Sequence, residues 1–570
     1  MLFRSEIELN YGAYNTVSPH LLYGGSNETG NLHYFFSLNY NQTERGLDTP
    51  QPFDVNQTDQ GGGESIHNFA SGNSEFAKID WQIDNSNKLT FNLFNSFSHF
   101  QIPNYPGSFS PNDSFFSQEE DHGHGHTHRL FNYVPSNTDD SQAETNAYTQ
   151  VVWKHSFSER AFLQVAPYYK YSQIVVNNDL LNDLYTAPGG AGYLATAAPS
   201  SLIMNRHVND LGLKLDYSIR PTDRHLFKTG FQFQASQADG AFSLQRSLDP
   251  AVALSDPDHY STVSDGHSTT GYFAGIYAQD DYTVAEPLVL NVGLRFDATQ
   301  FNFFDVNSSD SLFQPRLGLN YKASETTRLH AFYGKLFQPA AVQNLRYSFS
   351  AGRTPAPYDI KAEKDDFYEV GVAQQVFDRQ VVSLNFYYKD MVNVLDDGQL
   401  FNTSIAQPFN YATGYGYGLE LSIQGKINED WSEYLNYSYG VARGKGLSGG
   451  AWASHSPATD DYQLLDHVQL HTANAGVTYA KNNFWWTGQA VFGSGLPKDE
   501  EKTVFLPSHL TFDTSVGYQF NGKSWLSQIK ISADVLNILD NRYPITVANG
   551  FNGSHYAAGR QFYLRFIKSI

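Results

Sequence analysis

The stretch "NDLGLKLDYSI" at residues 209–219 decides how this chain is read. Leu211, Leu213, Leu215, Tyr217 and Ile219 fall at every second position, with Gly212, Lys214, Asp216 and Ser218 between them. A period of two belongs to a β-strand with one apolar and one wet face. The alternation returns in "LHYFFSLNY" (32–40), where Leu32, Tyr34, Phe36, Leu38 and Tyr40 share a face. It returns again in "LVLNVGLRF" (288–296) through Leu288, Leu290, Val292, Leu294 and Phe296. Charge is almost absent from these apolar faces.

Composition extends this pattern to the whole chain. Aromatics make up 15% of the 570 residues, with 37 Tyr and 42 Phe, while charged residues reach only 17%. A soluble protein carries about 25% charge. Mean hydropathy is nevertheless negative, because Asn, Gln, Ser, Thr and Gly fill the difference. No run approaches the ~18 apolar residues of a membrane helix. A bilayer-spanning form must therefore be a closed β-barrel, which pairs all its backbone groups between strands. The chain has no cysteine, which excludes disulfides and thiolate metal sites. A net charge of −21 argues against a nucleic-acid partner, which needs a basic face. The opening "MLFRSEIELNYGAYNT" lacks the apolar core of a signal peptide and reads as a strand already under way.

The connections alternate in length. Short polar turns occur at "DNSNK", "HSFSER", "RPTDR", "VAEP", "KASETT", "VFDRQ", "NED", "AKN" and "NGKS". Longer segments lie near 45–74, 104–141, 178–205, 238–267, 341–363, 444–468 and 541–558. About 22 antiparallel strands result, with short turns at the periplasmic end and long loops outside the cell, the layout of an outer-membrane barrel. At ~4.8 Å between strands and ~40° tilt, such a barrel is roughly 44 Å across. Side chains cannot fill that lumen, so it holds a plug or stands open.

Several segments resemble the β-barrel of TonB-dependent outer-membrane receptors. They are "YAQDDYTV" with "LVLNVGLRFD" at 277–297, "FQPRLGLNYKASETTRLHAFYGKLFQP" at 313–339, "IKAEKDDFYEVGV" at 360–372 and "FYYKDMVNVLDD" at 386–397. "DVLNILDNRYP" followed by "AAGRQFYLRF" resembles the family's last two strands. The resemblance implies a receptor in the outer membrane that takes up a scarce solute, with a metal ion or metal chelate as the favoured class, and no enzymatic activity. It implies contact with outer-membrane lipid and the barrel-assembly machinery, a monomeric state, and TonB as partner where a plug is present. Residues 1–570 read as one barrel domain beginning at about residue 4, with the family's plug and TonB box expected to be absent. The family's terminal aromatic is also displaced, since Phe566 is followed by Ile567, Lys568, Ser569 and Ile570. The alternatives are a plugless porin-like channel or surface-binding barrel, and a soluble all-β carbohydrate-binding protein.

Candidate sites cluster in the long segments. "EEDHGHGHTHRL" (119–130) sets His122, His124, His126 and His128 behind Glu119, Glu120 and Asp121. Imidazole suits Zn, Ni or Cu, as a loop-bound or transported ion and not a resident cofactor. In an extended chain these rings stand about 6.6–7 Å apart, but Gly123 and Gly125 permit the bend a shared ion needs. The competing reading is a solvated loop that binds metal as an affinity tag does. A weaker set, Asp256, Asp258, His259 and His267, occupies "DPDHYSTVSDGH", and "LLDHVQLH" adds Asp466, His467 and His471. Tyr105, Tyr260, Tyr347, Tyr358, Trp452 and Tyr462 suit stacking on a sugar or siderophore ring or, more simply, loop packing or the interfacial girdle. Arg129, Arg346, Arg353 and Arg443 suit a ligand carboxylate or phosphate but are expected to pair with the surplus acids. "GKGLSG" (444–449) fits G-x-G-x-x-G, but without a βαβ unit it is expected to be a flexible outer loop. The barrel and soluble readings separate on a denaturing gel. A refolded barrel should migrate differently before and after heating, whereas unchanged mobility would favour the soluble fold.

Overall fold

The structure is a computed structural model. It describes residues 5–47, 49–51, 68–102, 140–177, 200–247, 260–266, 268–303, 306–342, 360–377, 379–399, 406–450, 461–465, 468–497, 503–522, 527–546 and 554–569. Among them, 24 strands join one antiparallel sheet, and two of these (Tyr260–Asp265 and Gln463–Leu464) attach to a single neighbour only. The remaining 22 form the wall. They begin with β1 (Glu6–Gly12), β2 (Thr16–Ser26), β3 (Leu32–Thr43), β4 (Ala70–Gln82), β5 (Asn87–Gln101), β6 (Ser141–Ser158) and β7 (Ala161–Asn177). Next come β8 (Ser200–Thr222), β9 (His225–Ser247), β10 (Ser268–Ala285), β11 (Leu288–Phe303), β12 (Val306–Lys322), β13 (Thr327–Gln338), β14 (Glu363–Val376) and β15 (Gln380–Gln399). The wall ends with β16 (Ala406–Lys426), β17 (Trp431–Gly450), β18 (His471–Lys481), β19 (Phe484–Gly493), β20 (His509–Gln519), β21 (Ile529–Leu536) and β22 (Gln561–Ser569).

Each strand pairs with its sequence neighbour, and β22 returns to β1 in the register Glu6↔Ser569 through Gly12↔Tyr563. That pairing removes the sheet edge. With no edge left, the backbone can face hydrocarbon without unpaired donors. The expected barrel of about 22 strands is therefore the fold observed.

The apolar face of every period points outward. Val292, Leu294 and Phe296 stand 45%, 48% and 41% exposed, while Gly293, Arg295 and Asp297 face the lumen from the same strand. Exposure of this kind would be unstable in water and suits a surface solvated by lipid. Aromatic rings mark both limits of the band. Near the short turns, Trp431 packs 5.0 Å from Tyr479 and 6.0 Å from Trp486 between ring centroids. Toward the loops, Tyr333, Tyr368 and Tyr388 form a row at 5.1 and 6.4 Å. Such girdles sit where the bilayer meets water.

Inside, large side chains lie flat on glycines of the adjoining strand. A Cβ on Gly212 would stand 2.1 Å from the Tyr168 ring, and one on Gly517 would stand 2.0 Å from Trp485. Glycine at these places lets rings cover the ladder instead of projecting into the lumen.

The closing seam carries a clasp at its outer end. Ala13–Thr16 is a two-residue hairpin turn with Tyr14 and Asn15 at φ 57° and 51°, the primed geometry that matches strand twist. Over it, Thr49–Gln51, Pro544–Thr546 and Ser554–Tyr556 form a small three-stranded sheet. Arg45 donates to the Tyr556 carbonyl at 3.0 Å and stacks 5.6 Å above Tyr14. Two connections that flank the seam are thereby tied together.

The glycine-rich stretch near 444–449 departs from expectation. "GKGLSG" is no free loop, because β17 runs through it and pairs Lys445 with Thr413 and Gly449 with Asn410. Inter-strand hydrogen bonding overrides the glycine-rich composition. Leu294→Arg should destabilise the refolded barrel by about 2–4 kcal/mol near the bilayer midplane, read from urea unfolding in lipid vesicles. An unchanged midpoint would mean that this face does not meet hydrocarbon.

Candidate luminal site

A polar cluster forms on the luminal face toward the long-loop end. Tyr368 and Val370 of β14 and Phe386 and Tyr388 of β15 face outward, with 46–54% exposure. By alternation Glu363, Asp365, Phe367 and Lys389 face the lumen, with Phe367 opposite Lys389. The Lys389 ammonium reaches Glu363 Oε1 at 2.8 Å and Asp365 Oδ2 at 2.9 Å. Glu363 Oε2 also accepts the Leu395 amide at 2.8 Å. Both carboxylates are about 95% buried. One ammonium thus holds two desolvated acids, an arrangement that stands only while every member is in place.

The entry to β14 is fixed from the other side by Asn410 of β16, which has no exposed surface. Its Oδ1 accepts the Lys361 amide at 2.8 Å, and its Nδ2 donates to the carbonyls of Lys361 and Asn393 at 3.1 and 2.9 Å. Asn393 supplies its carbonyl by leaving the ladder at φ 56°. Asp310 of β12 takes the Ala362 amide at 2.9 Å and the Lys364 ammonium at 2.7 Å. The described ends of the connection between β13 and β14, 339–342 and 360–362, pack on the wall. Val342 packs on Val208, Ala238 and Phe301, and Ala340 and Ile360 pack near Phe301 and Leu395. Both ends are thereby anchored to the wall.

Deeper in the wall lies a notch of about 380 Å³ lined by Asn291, Arg316, Asn320, His330, Phe332 and Glu369. Gly293 and Gly318 form part of its surface, which accounts for the recess. Asn320 donates to Asn291 at 2.9 Å, Asn291 to Asp281 at 2.8 Å, and His330 meets Glu369 at 3.0 Å. Beside it, Asp297 accepts from Arg295 at 2.7 Å and Gln314 at 2.6 Å. The lumen wall is thus hydrophilic and largely self-paired, suited to a polar domain or a hydrated solute.

The predicted metal residues His122, His124, His126, His128 and Asp121 lie outside the described residues, as do Asp256, Asp258, His259 and His267. Among the described residues no group of three or more His, Asp or Glu comes together as a metal site. His471 belongs to the outward face and not to a loop cluster, with Nδ1 2.9 Å from Tyr437 Oη and its ring 4.9 Å from Tyr439. Tyr462 packs edge-on against Tyr415 at 4.9 Å, the loop-packing alternative. Arg443 donates to the Tyr462 carbonyl at 3.3 Å, and among the described residues no ion pair with an acid joins it. Sequence reasoning missed Glu363, Asp365 and Lys389, although two of them stand in "IKAEKDDFYEVGV". The available signal was acids at i and i+2 opposite Tyr368 and Val370.

Comparison with known proteins places this architecture. The family described as "TonB dependent receptor-like, beta-barrel" matches residues 80–538. A probable TonB-dependent receptor of Bordetella pertussis, BfrD, is 26% identical over 400 residues, covering 63% of this chain and 50% of that protein. The chain thus spans about half the length of that relative. Among solved structures, the siderophore receptor PiuA of Acinetobacter baumannii superposes with a TM-score of 0.70 at 13% identity, covering all of this chain and 82% of that one. The copper transporter OprC gives 0.70 at 15% identity, covering all of this chain and 80% of its own. At such identities these two likenesses speak for the fold alone. Lys389→Met should cost about 3 kcal/mol by leaving two buried acids unpaired, read from urea unfolding. The loss should shrink on acidification, when protonated carboxyls no longer need a cation; a pH-independent loss would mean that packing, and not charge, was removed.

Proposed function

Because the chain belongs to the TonB-dependent receptor-like β-barrel family, a family of outer-membrane receptors and not of enzymes, we propose that it forms the uptake barrel for a metal ion or a metal chelate. The observation that carries this reading is the family match across 80–538, which covers most of the wall. The hydrophilic lumen and the fixed mouth segments around Asn410 support it, since a receptor needs a wet passage and firmly based outer connections. Two proteins that share the fold are a siderophore receptor and a copper transporter, and metal-bearing solutes are the class proposed for this chain.

On this reading the solute is first met by the outer connections. The histidines at 122, 124, 126 and 128, with Asp121, supply borderline-soft ligands, and Asp256, Asp258, His259 and His267 offer a second cation-attracting set. A plug within the lumen, drawn by TonB, would couple release to energy. The monomer inserts through the barrel-assembly machinery and is solvated by outer-membrane lipid.

Calorimetry on the refolded barrel tests the capture step. Zn or Ni should bind, and replacing His122, His124, His126 and His128 by Ala should abolish binding. Equal heats before and after the replacement would remove the histidine run from the reading. Metal-dependent growth of cells carrying the intact receptor, lost on its deletion, would support uptake, whereas normal growth on scarce metal without it would count against it.

A further inference from the structure

The lipid-facing surface is interrupted by a groove of about 640 Å³ across β17 to β20. Its floor is made by Ala475, Gly488 and Ala490, with Ala475 directly opposite Ala490 in the ladder. Leu435 rises on one side and Phe512 on the other, each paired next to one of those alanines. Trp486 is fixed at the lower part by donating its indole N–H to Thr514 Oγ1 at 2.9 Å. Ile423, Leu435, Trp486 and Phe512 stand around this floor of small residues, which makes it a recess.

A carboxylate stands at the periplasmic end of the recess. Glu433 lies two positions past Trp431 of the lower girdle and pairs with Val477, on the same outward face as Leu435. The Gln380 amide donates to Glu433 Oε1. Two cations at this end are engaged elsewhere, Lys481 with Asp430 at 2.8 Å and Arg379 with Glu429 at 2.7 Å. An ionisable group on a lipid face is costly unless a partner meets it, and that partner must be able to reach membrane depth. From Glu433 to the level of Phe512 is about five residues of rise, roughly 13 Å along the bilayer normal at ~40° tilt. That is about half of the ~25 Å apolar band of such barrels, the depth of one leaflet.

We propose that this groove binds one phospholipid of the periplasmic leaflet, an acyl chain lying over Ala475, Gly488 and Ala490 while a primary-ammonium headgroup meets Glu433. Charge complementarity selects the headgroup. An ammonium supplies three donors and the opposite charge, whereas an anionic glycerol headgroup would be repelled. The floor selects for a chain by shape, since bulky neighbours exclude it on either side.

The test uses the whole chain refolded in detergent and titrated with phosphatidylethanolamine or phosphatidylglycerol of identical chains, with bound lipid counted by native mass spectrometry. The ethanolamine lipid should be retained about tenfold better, as for one hydrogen bond to a charged group. Glu433→Gln should bring its retention down to that of the glycerol lipid. Ala475→Leu combined with Ala490→Leu should remove retention of both. Equal retention of the two lipids by the unaltered chain would overturn the proposal without reliance on any variant. So would undiminished ethanolamine-lipid binding in either variant that still shows heat-modifiable migration.

Discussion

Everything in this structure depends on the pairing of the first strand with the last. Hydrocarbon offers no hydrogen bonds, so a sheet that meets it on one face cannot keep an open edge. The ladder from Glu6↔Ser569 to Gly12↔Tyr563 closes that edge. Gly12 is part of the fit, since a Cβ there would stand 2.3 Å from the Phe562 carbonyl. The clasp built from Arg45, Tyr14 and the small outer sheet lies over the same seam. It ties the neighbouring connections where the ladder is only seven residues long on one side.

Closure sets the character of both faces. Outside, burial against lipid replaces the packed core of a soluble protein, and the aromatic girdles fix the depth of the band. Inside, the wall must stay wet yet bear charge, and it does so by pairing. Lys389 with two acids, Asp297 with Arg295 and Gln314, and Asn291 with Asp281 and Asn320 are local solutions to one requirement. Rings lying on Gly212 and Gly517 keep bulk out of the passage. The result is a lumen whose polarity is high but whose groups are held, which suits passage better than tight chemistry.

Much of this was legible in the chain. The alternation through Leu211, Leu213 and Leu215 states which face is wet, and the change from short turn to long connection states which end faces out. The candidate site was far less legible. Glu363 and Asp365 advertise a luminal acid pair, but nothing near them announces Lys389 on the next strand or Asn410 on the strand beyond. "GKGLSG" misled because glycine suggests freedom, whereas a neighbour's ladder took that freedom away. His471 misled because a histidine beside loop acids looks like a ligand, yet its parity sends it outward to Tyr437 and Tyr439.

The sequence alone determined the class of fold, the count of about 22 strands and the faces of its alternating stretches, because a period of two is a local property of extended backbone. Only the tertiary structure decided which residues meet across strands. Glu363 and Lys389 touch, and Glu433 comes to stand at the foot of a recess floored by Ala475, Gly488 and Ala490, through the register of neighbouring ladders. Register is a relation between strands, and a slip of one residue would turn every side chain to the opposite face. It is fixed by the closure of the whole barrel, which no single stretch of the chain contains.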